Sequence, residues 1–443
     1  MIYSEVSMKF SRREVLRTSL VLGTGLSLGL TGCGGGSDGS AKTTARFAVL
    51  SDPHVYDTSL GTSGTAFDDY LAHDRKMLAE SVEIMEAMVD EIMAANVDFV
   101  LICGDLTKDG EKVSHLKMAS MLYQLIGSGI GVYVIPGNHD INNPHAMSFS
   151  GSTSSSVDSV TPSEFENIYE DCGYSKCIAR DPNSLSYIAE PVIGVWLFAI
   201  DSCKYDNNTT SPDTTGEIGA DTLTWILEYM AKAQARGKKI MGMMHHGIIP
   251  HFAAQTTFFP EYVVDEYLTV GGALANAGLK IMFTGHFHAQ DIIKSTYSNG
   301  FLYDVETGSG VTAPSPYRII DLNMVTETYD IASYEIHSIP SKTDFDTYKE
   351  DFVEQGMLEL YTDILPSYGI DPAVAPAAAE IHVAHYKGDE PGYTNMSATT
   401  QGIITALLGG GAGEVALAYA LIDFAKDNFA TTLVADNNIT LAL

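Results

Sequence analysis

The sequence predicts an α/β protein built on a parallel sheet. Apolar runs of the length of buried strands alternate with segments of helical periodicity through the first half of the chain. The order strand, helix, strand, helix, strand, from residue 46 to residue 136, favours a parallel sheet covered by helices. In addition, each of these strands is followed by Asp, His or Asn, at the edge where α/β proteins place their functional side chains.

The individual elements follow from apolar periodicity and turn residues. Predicted strands occupy 46–55, 98–103, 131–136, 195–200, 239–244 and 279–284, with further strands at 301–307 and 317–322. Predicted helices occupy 68–95, 111–126, 221–236 and 260–277. The serine-rich stretch 148–159 indicates a loop. Thr161, followed by Pro162 and Glu164, has the pattern of a helix start.

The first 33 residues predict an export signal. Arg12 and Arg13 lie in a basic segment, and the apolar run 19–30 that follows is too short to cross a bilayer. Together with the segment ending at Cys33, they resemble a twin-arginine signal joined to a bacterial lipoprotein box. The resemblance implies cleavage before Cys33, lipidation of its sulfur and a place in the bacterial cell envelope, on the periplasmic or the extracellular face. The alternative is an ordinary secretory signal in which Cys33 is incidental.

The rest of the chain divides into three parts. Residues 34–45 are a Gly/Ser-rich linker, and residues 46–325 hold the alternating strands and helices. Residues 330–443 predict a smaller, mainly helical C-terminal domain, with helices at 348–365 and 413–429. Because this domain follows the last core strand, we hypothesise that it covers the functional site.

The charge of the chain excludes one class of partner. The formal net charge is −31, from 56 acidic and 25 basic residues. Such a field repels the phosphates of a nucleic acid polymer, so we expect no partner of that class. A small phosphate-containing substrate would need bound cations to overcome the local negative field.

Potential metal ligands follow almost every core strand. Carboxylate, imidazole and amide groups suit divalent Mn, Fe or Zn. Their number exceeds what one ion needs, so we expect two ions, roughly 3.5–4 Å apart as in two-metal phosphatases. The candidates are Asp52, His54, Asp105, Asn138, His139, His245, His286 and His288.

The order of these motifs resembles the order found in a known protein family. Asp-x-His at 52–54, Gly-Asp at 104–105, Gly-Asn-His-Asp at 137–140, a His at 245 and Gly-His-x-His at 285–288 resemble the calcineurin-like metallophosphoesterase family. The resemblance covers about residues 46–325. It implies a four-layer α/β/β/α sandwich with a dinuclear metal site at the strand ends, and it leaves the C-terminal helical domain unexplained.

The resemblance also implies a role for each strand-end residue. One ion would be held by Asp52, His54 and His288. The second would be held by Asn138, His245 and His286. Asp105 would bridge the two ions, and His139 would contact the phosphoryl group or protonate the leaving oxygen. Asp140 would hold His139 in place, and His246 is the alternative to His245.

The sequence therefore predicts an exported, lipid-anchored enzyme that hydrolyses small phosphate esters with two divalent metal ions. A phosphodiesterase is favoured, because the segment 104–107 is closer to the cyclic-nucleotide phosphodiesterase-like branch of the family. Lys108 stands where iron-tyrosinate purple phosphatases have Tyr, which argues against a purple Fe(III) site. The alternatives are a phosphomonoesterase or nucleotidase, and a non-catalytic envelope lipoprotein that binds a ligand.

Overall fold

A computed structural model of the protein describes residues 42–72, 74–426 and 435–443. The predicted export signal with Cys33, and residues 34–41 of the predicted linker, lie outside these ranges. None of the helices that the structure describes is long and apolar enough to span a membrane.

Strands and helices alternate as predicted from residue 44 to residue 134, and the strands predicted at 195–200, 239–244 and 279–284 are also found. The strands are β1 (Thr44–Leu50), β2 (Phe99–Ile102), β3 (Gly131–Val134), β4 (Met147–Ser150), β5 (Thr153–Ser156), β6 (Ala179–Arg180), β7 (Tyr187–Val192), β8 (Val195–Ile200), β9 (Lys239–Met244), β10 (Ile281–Thr284), β11 (Asp291–Tyr297), β12 (Gly300–Glu306), β13 (Pro316–Asn323), β14 (Thr328–Glu335) and β15 (Asn438–Ala442). The α-helices are α1 (Thr65–Leu71), α2 (Ser81–Ala94), α3 (Lys112–Gly127), α4 (Pro162–Ile168), α5 (Ala220–Ala235), α6 (Gln255–Phe258), α7 (Tyr267–Asn276), α8 (Phe345–Ile364), α9 (Ala375–Lys387), α10 (Ala398–Leu408) and α11 (Ala412–Phe424).

Two large sheets form the centre of the molecule. The first has the strand order β15-β14-β13-β1-β2-β3, in which β1, β2 and β3 are parallel. The second has the order β11-β12-β10-β9-β8-β7-β6, in which β8, β9, β10 and β12 are parallel. Because parallel strands end at the same edge, each sheet gathers several strand-end loops at one place.

Alternate side chains of β8 pack into two different apolar clusters, one on each face of the second sheet. Trp196, Phe198 and Ile200 pack with buried residues of α5 and α7, whereas their neighbours on β8 face the core between the sheets. Phe47 of β1 meets Phe283 of β10 edge-on across that core, with ring centroids 5.6 Å apart. Helices α2 and α3 add buried residues to the core formed with β1 and β2. The predicted four-layer α/β/β/α sandwich is confirmed.

One predicted helix is interrupted. The predicted helix 68–95 is found as two helices, α1 and α2, and residues 74–80 before α2 lie outside the α-helices. The Asp74 side chain accepts hydrogen bonds from the backbone N–H groups of Arg75 and Lys76, a local bond that competes with helix formation. The break turns Arg75 and Lys76 toward the strand-end loops.

The serine-rich stretch also differs from its prediction. Residues 147–156 form the β4–β5 hairpin, with Gly151 at its turn in the left-handed region (φ 59°). The prediction of a helix start at Thr161 is confirmed, because Thr161 and Glu164 form a reciprocal capping box with Pro162 in the first turn of α4.

The C-terminal region combines helices with strands of the first sheet. Helices α8 to α11 share an apolar cluster that includes Phe252 and Phe287. Beyond the predicted boundary at 325–330, however, β14 pairs with β13, and β15 pairs with β14. The residues at the two ends of the described chain therefore join one sheet, and the division into two domains stays a prediction.

Candidate metal centre

The predicted site residues lie in the loops that follow five parallel strands. Asp52 and His54 follow β1, Asp105 follows β2, and Asn138 with His139 follows β3, all in the first sheet. His245 follows β9, and His286 with His288 follows β10, in the second sheet. The packing of one sheet on the other brings these two sets of loops together.

Backbone strain is concentrated at these loops. Eleven non-glycine residues of the described chain have positive φ, and five of them are predicted ligands. These five are Asp52 (φ 50°), His54 (φ 38°), Asp105 (φ 49°), His286 (φ 75°) and His288 (φ 68°). Such conformations cost about 1–3 kcal/mol each and persist where the surroundings enforce them, typically at functional sites.

The first group of ligand atoms contains Asp52, His54 and His288, which lie within 4.8 Å of one another. His288 Nε2 is 3.4 Å from Asp52 Oδ1, and the Nε2 atoms of His54 and His288 are 3.2 Å apart. Two imidazole nitrogens and a carboxylate oxygen thus face one small space.

The second group is arranged around Asp105. Asp105, His245 and His286 offer atoms within 4.8 Å of one another. Asp105 Oδ2 lies 3.6 Å from His54 Nε2 and 3.5 Å from His245 Nε2, between the two groups. Asn138 Oδ1 is 3.0 Å from His245 Nε2. The structure therefore gathers all the predicted ligands and places Asp105 where a bridging ligand would stand; their role as ligands stays a prediction.

The chemistry of these atoms fits bound cations. Asp52 is buried, its Oδ1 has no hydrogen-bond donor among the described residues, and an unpaired buried carboxylate oxygen is costly. Burial opposes protonation of His245, yet the Asp105 carboxylate raises the pKa of His245 to about 9, which reflects a negative potential at its ring. Burial lowers the pKa of His54 well below its ordinary value, so its ring is neutral, the form that binds metals. The donor set suits divalent metal ions.

His246, the alternative to His245, has no ring nitrogen left for a metal. Its Nδ1 is 2.8 Å from the Ser202 hydroxyl, and its Nε2 is 3.1 Å from the Thr214 carbonyl. His245 instead uses Nδ1 to donate to the Cys103 carbonyl, 2.8 Å away, and directs Nε2 toward Asp105.

His139 lies at the edge of the ligand groups and is partly exposed. Its Nε2 is 4.0 Å from Asp105 Oδ2, and its Nδ1 is 2.8 Å from Asp109 Oδ1. Burial acts to lower the pKa of the imidazole, but the Asp105 and Asp109 carboxylates raise it above its ordinary value. A ring in this position can carry a proton on Nε2 while its orientation is fixed through Nδ1.

The prediction that Asp140 holds His139 is wrong. The Asp140 carboxylate instead ties the loops after β2 and β3 together, because it accepts hydrogen bonds from the backbone N–H groups of Leu106, Thr107 and Gly137. Asp109 orients His139, and a buried ion pair with Lys108 holds Asp109. Asp109, the second Asp of the segment 104–110, is visible in the sequence as a second candidate. No local pattern indicates whether Asp109 or Asp140 faces the ring of His139.

A cavity of about 150 Å³ opens over the ligand groups. Its wall contains two basic residues that the sequence analysis missed, Arg75 and Lys76, which come from the break between α1 and α2. Tyr386 of α9 also lines it, so the C-terminal helices supply part of the wall. Glu261 and Tyr262 complete the rim.

Residues 45–290 match the sequence profile of the calcineurin-like phosphoesterase family, and the matched region contains every predicted ligand from Asp52 to His288. The chain belongs to that family. As a calcineurin-like phosphoesterase it is a metal-dependent hydrolase of phosphate esters.

The calcineurin-like phosphoesterase is similar over a short stretch to a probable cyclic nucleotide phosphodiesterase from Vesicomyosocius okutanii subsp. Calyptogena okutanii. The two are 36% identical over 66 residues, which cover 15% of this chain and 27% of that protein. Among solved structures it is similar to a dimetal phosphatase from Danio rerio, with a TM-score of 0.45, 13% identity, and coverage of 66% of this chain and 96% of that one. The purple acid phosphatase of yellow lupin (Lupinus luteus) seeds gives a TM-score of 0.42, 13% identity, and coverage of 67% and 52%.

Proposed function

We propose that this protein is an exported phosphoesterase that hydrolyses small phosphate esters with two bound divalent metal ions. One observation carries the proposal: Asp105 stands between two groups of ligand atoms, with His139 4.0 Å from its carboxylate. Asp52, His54 and His288 would hold one ion. Asn138, His245 and His286 would hold the other, and Asp105 would contact both.

The ions would be Mn, Fe or Zn, and when bound they would lower the pKa of water and neutralise charge on the phosphoryl oxygens. The protein's own residues supply the rest. His139 Nε2 donates a proton to the leaving alkoxide, and Asp109 holds the ring in the required tautomer. Asp140 does not touch the substrate; it fixes the loop on which Asn138 and His139 stand.

We favour a phosphodiester as the substrate class. The support is the segment 104–107 and the short similarity to the probable cyclic nucleotide phosphodiesterase. A phosphomonoesterase or nucleotidase is the alternative, because both classes can use the same ligands. A non-catalytic, ligand-binding lipoprotein is disfavoured, because none of the ligand types is missing from the site.

Export to the bacterial cell envelope is part of the proposal. It is supported by the twin arginine at 12–13 and the lipoprotein-type segment that ends at Cys33. Membrane contact would be made through the lipidated Cys33. The net charge of −31 supports a small substrate and disfavours a nucleic acid polymer.

Turnover of two chromogenic esters tests the proposed function. We expect hydrolysis of bis-p-nitrophenyl phosphate to exceed that of p-nitrophenyl phosphate, to disappear on chelation, and to return with manganese or zinc. His139→Ala should keep its metal content and lose about 10²–10⁴-fold in kcat, the usual contribution of a general acid. Turnover that survives complete metal removal would contradict the proposal, and faster hydrolysis of the monoester would favour the alternative substrate class.

A further inference from the structure

His251 is a buried histidine to which the proposed mechanism assigns no role. It lies in the loop after β9, six positions beyond His245, and is 1% exposed. None of the groups of ligand atoms among the described residues includes it. We propose that His251 is a positioning residue, which holds the metal-binding loops of the second sheet in place through Asp304 and Glu306. This inference rests on the proposed function, because it concerns residues that the proposal assigns to the two ions.

The imidazole of His251 contacts three buried carboxyl groups on the neighbouring strands β11 and β12. Its Nδ1 donates a hydrogen bond to Asp291 Oδ2, 2.7 Å away. Its Nε2 lies 3.5 Å from Glu306 Oε2 and 3.7 Å from Asp304 Oδ2. Burial acts to lower the pKa of His251, but the Asp291 carboxylate and its neighbours raise it well above its ordinary value. The ring is therefore an imidazolium, and a buried charge of this kind is stable only beside opposite charges.

Asp304 ties the loop after β9 to the end of β10. Its Oδ2 accepts hydrogen bonds from the backbone N–H groups of Ile248 and Ile249, at 2.6 and 3.1 Å, shortly after His245 in the chain. Its Oδ1 accepts from the hydroxyl of Thr284, at 2.5 Å, which is the last residue of β10. One carboxylate thus holds two neighbouring strand ends, each of which leads into a loop with predicted ligands.

Glu306 holds the loop after β10 in the same way. Its Oε1 accepts from the backbone N–H of Phe287, at 3.1 Å, between the predicted ligands His286 and His288. Its other oxygen faces His251. Burial raises the pKa of Glu306 well above its ordinary value, and the charge of His251 is the main influence that lowers it. The imidazolium therefore favours the anionic form of Glu306, which is the stronger hydrogen-bond acceptor.

Asp291 and Gln255 fix the direction in which the ring of His251 points. The backbone N–H of His251 donates to Gln255 Oε1, at 2.5 Å, and Asp291 accepts at Nδ1. Nε2 is consequently directed toward Glu306 and Asp304. At 3.5 and 3.7 Å these contacts are ionic contacts and not short hydrogen bonds. What the two carboxylates require from His251 is therefore its positive charge.

Manganese titration of the metal-free protein tests the inference. His251→Gln keeps a donor for Asp291 and removes the charge. Calorimetry at a temperature where all proteins are folded should show a Kd for manganese about 10–100-fold higher, the usual effect of losing a group that supports metal ligands. Lys349→Met is the matched control, because Lys349 is a buried cation of α8 that donates to the Ile336 carbonyl, at 2.8 Å. It should lower the melting temperature and leave the Kd unchanged.

Two further variants separate positioning from stability. His251→Gln should also lower the melting temperature, because Asp291 loses its counter-ion. Adding Asp291→Asn should restore most of the melting temperature and leave the Kd for manganese raised, because Asp304 and Glu306 still lack a cation. His251→Lys, which keeps a positive charge, should return the Kd toward that of the parent. If His251→Gln does not fold alone, the double variant is compared with the parent.

Two results would overturn the inference. One is an unchanged Kd for manganese in the folded variants without the charge of His251. The other is a Kd that rises whenever the melting temperature falls, Lys349→Met included, because His251 would then serve the folded core alone. If the parent binds manganese but hydrolyses neither chromogenic ester, the proposed function fails and the titration still decides the inference. A parent that binds no manganese would overturn both.

Discussion

At the scale of single residues, the site depends on carboxylates that have different partners. Asp105 faces the imidazoles of both ligand groups, Asp109 accepts from His139, and Asp140 accepts backbone N–H groups. Burial and the nearby Asp105 raise the pKa of Asp140 to about 7, although several hydrogen bonds act in the other direction. Residues of one type, within 36 positions of each other, thus face the predicted metal ligands, orient a ring and hold two loops together.

Substitution of Asp109 and of Asp140, one at a time, distinguishes the role of each carboxylate. Asp109→Asn should lower kcat roughly 10- to 100-fold with little change in metal content, because the orientation of His139 is lost. It should also lower the melting temperature, because the buried Lys108 loses its ion pair with Asp109. Asp140→Asn should lower the melting temperature and the metal content, because an amide cannot accept the same set of backbone donors. Steady-state kinetics, metal analysis and thermal melts check both. The reverse pattern would return the orienting role to Asp140.

At the scale of elements, strand β12 fixes the two loops that carry the second sheet's ligands. Asp304 Oδ2 accepts from the backbone N–H groups of Ile248 and Ile249, just after His245. Glu306 accepts from the backbone N–H of Phe287, at 3.1 Å, between the two histidines of the next loop. The side chain of Phe287 then enters the apolar cluster of the C-terminal helices. One strand and one helical cluster therefore position three predicted ligands.

Asp304→Ala should destabilise the fold and release the loop after β9. It leaves two buried backbone donors without an acceptor, so we expect the free energy of unfolding to fall by roughly 2–4 kcal/mol. Asp321→Ala removes a carboxylate from an exposed ion pair with Arg46 and should cost about 1 kcal/mol or less. Chemical denaturation of both variants gives the comparison. An equal, small effect for the two would show that Asp304 does not hold the loop.

At the scale of the whole molecule, the C-terminal region is part of the sheet and part of the site wall. Strands β14 and β15 extend the first sheet, and helices α8 and α9 hold Arg75. We hypothesised that the C-terminal region covers the site. In the structure this region contributes Tyr386 to the wall of the cavity.

A chain that ends at residue 325 should not fold to a soluble, metal-binding protein. The truncation removes β14 and β15, leaves β13 as an unprotected edge and exposes the apolar surface around Phe287. Solubility, circular dichroism and metal content check this against a control chain that begins at residue 42 and keeps its C-terminus. A soluble truncated chain with a cooperative melt and bound metal would contradict the expectation and support an independent catalytic domain.

The sequence by itself determined the α/β class, the parallel strands and the ligand types at their ends. These features are local, because the apolar period and the residues that follow each strand can be seen within a few positions. Only the tertiary structure decided that Asp109 orients His139, that residues 74–80 leave the helical path, and that β15 joins the first sheet. Those outcomes depend on how loops that are distant in sequence pack against one another. The apolar periodicity of a segment does not predict which distant loop that segment will contact.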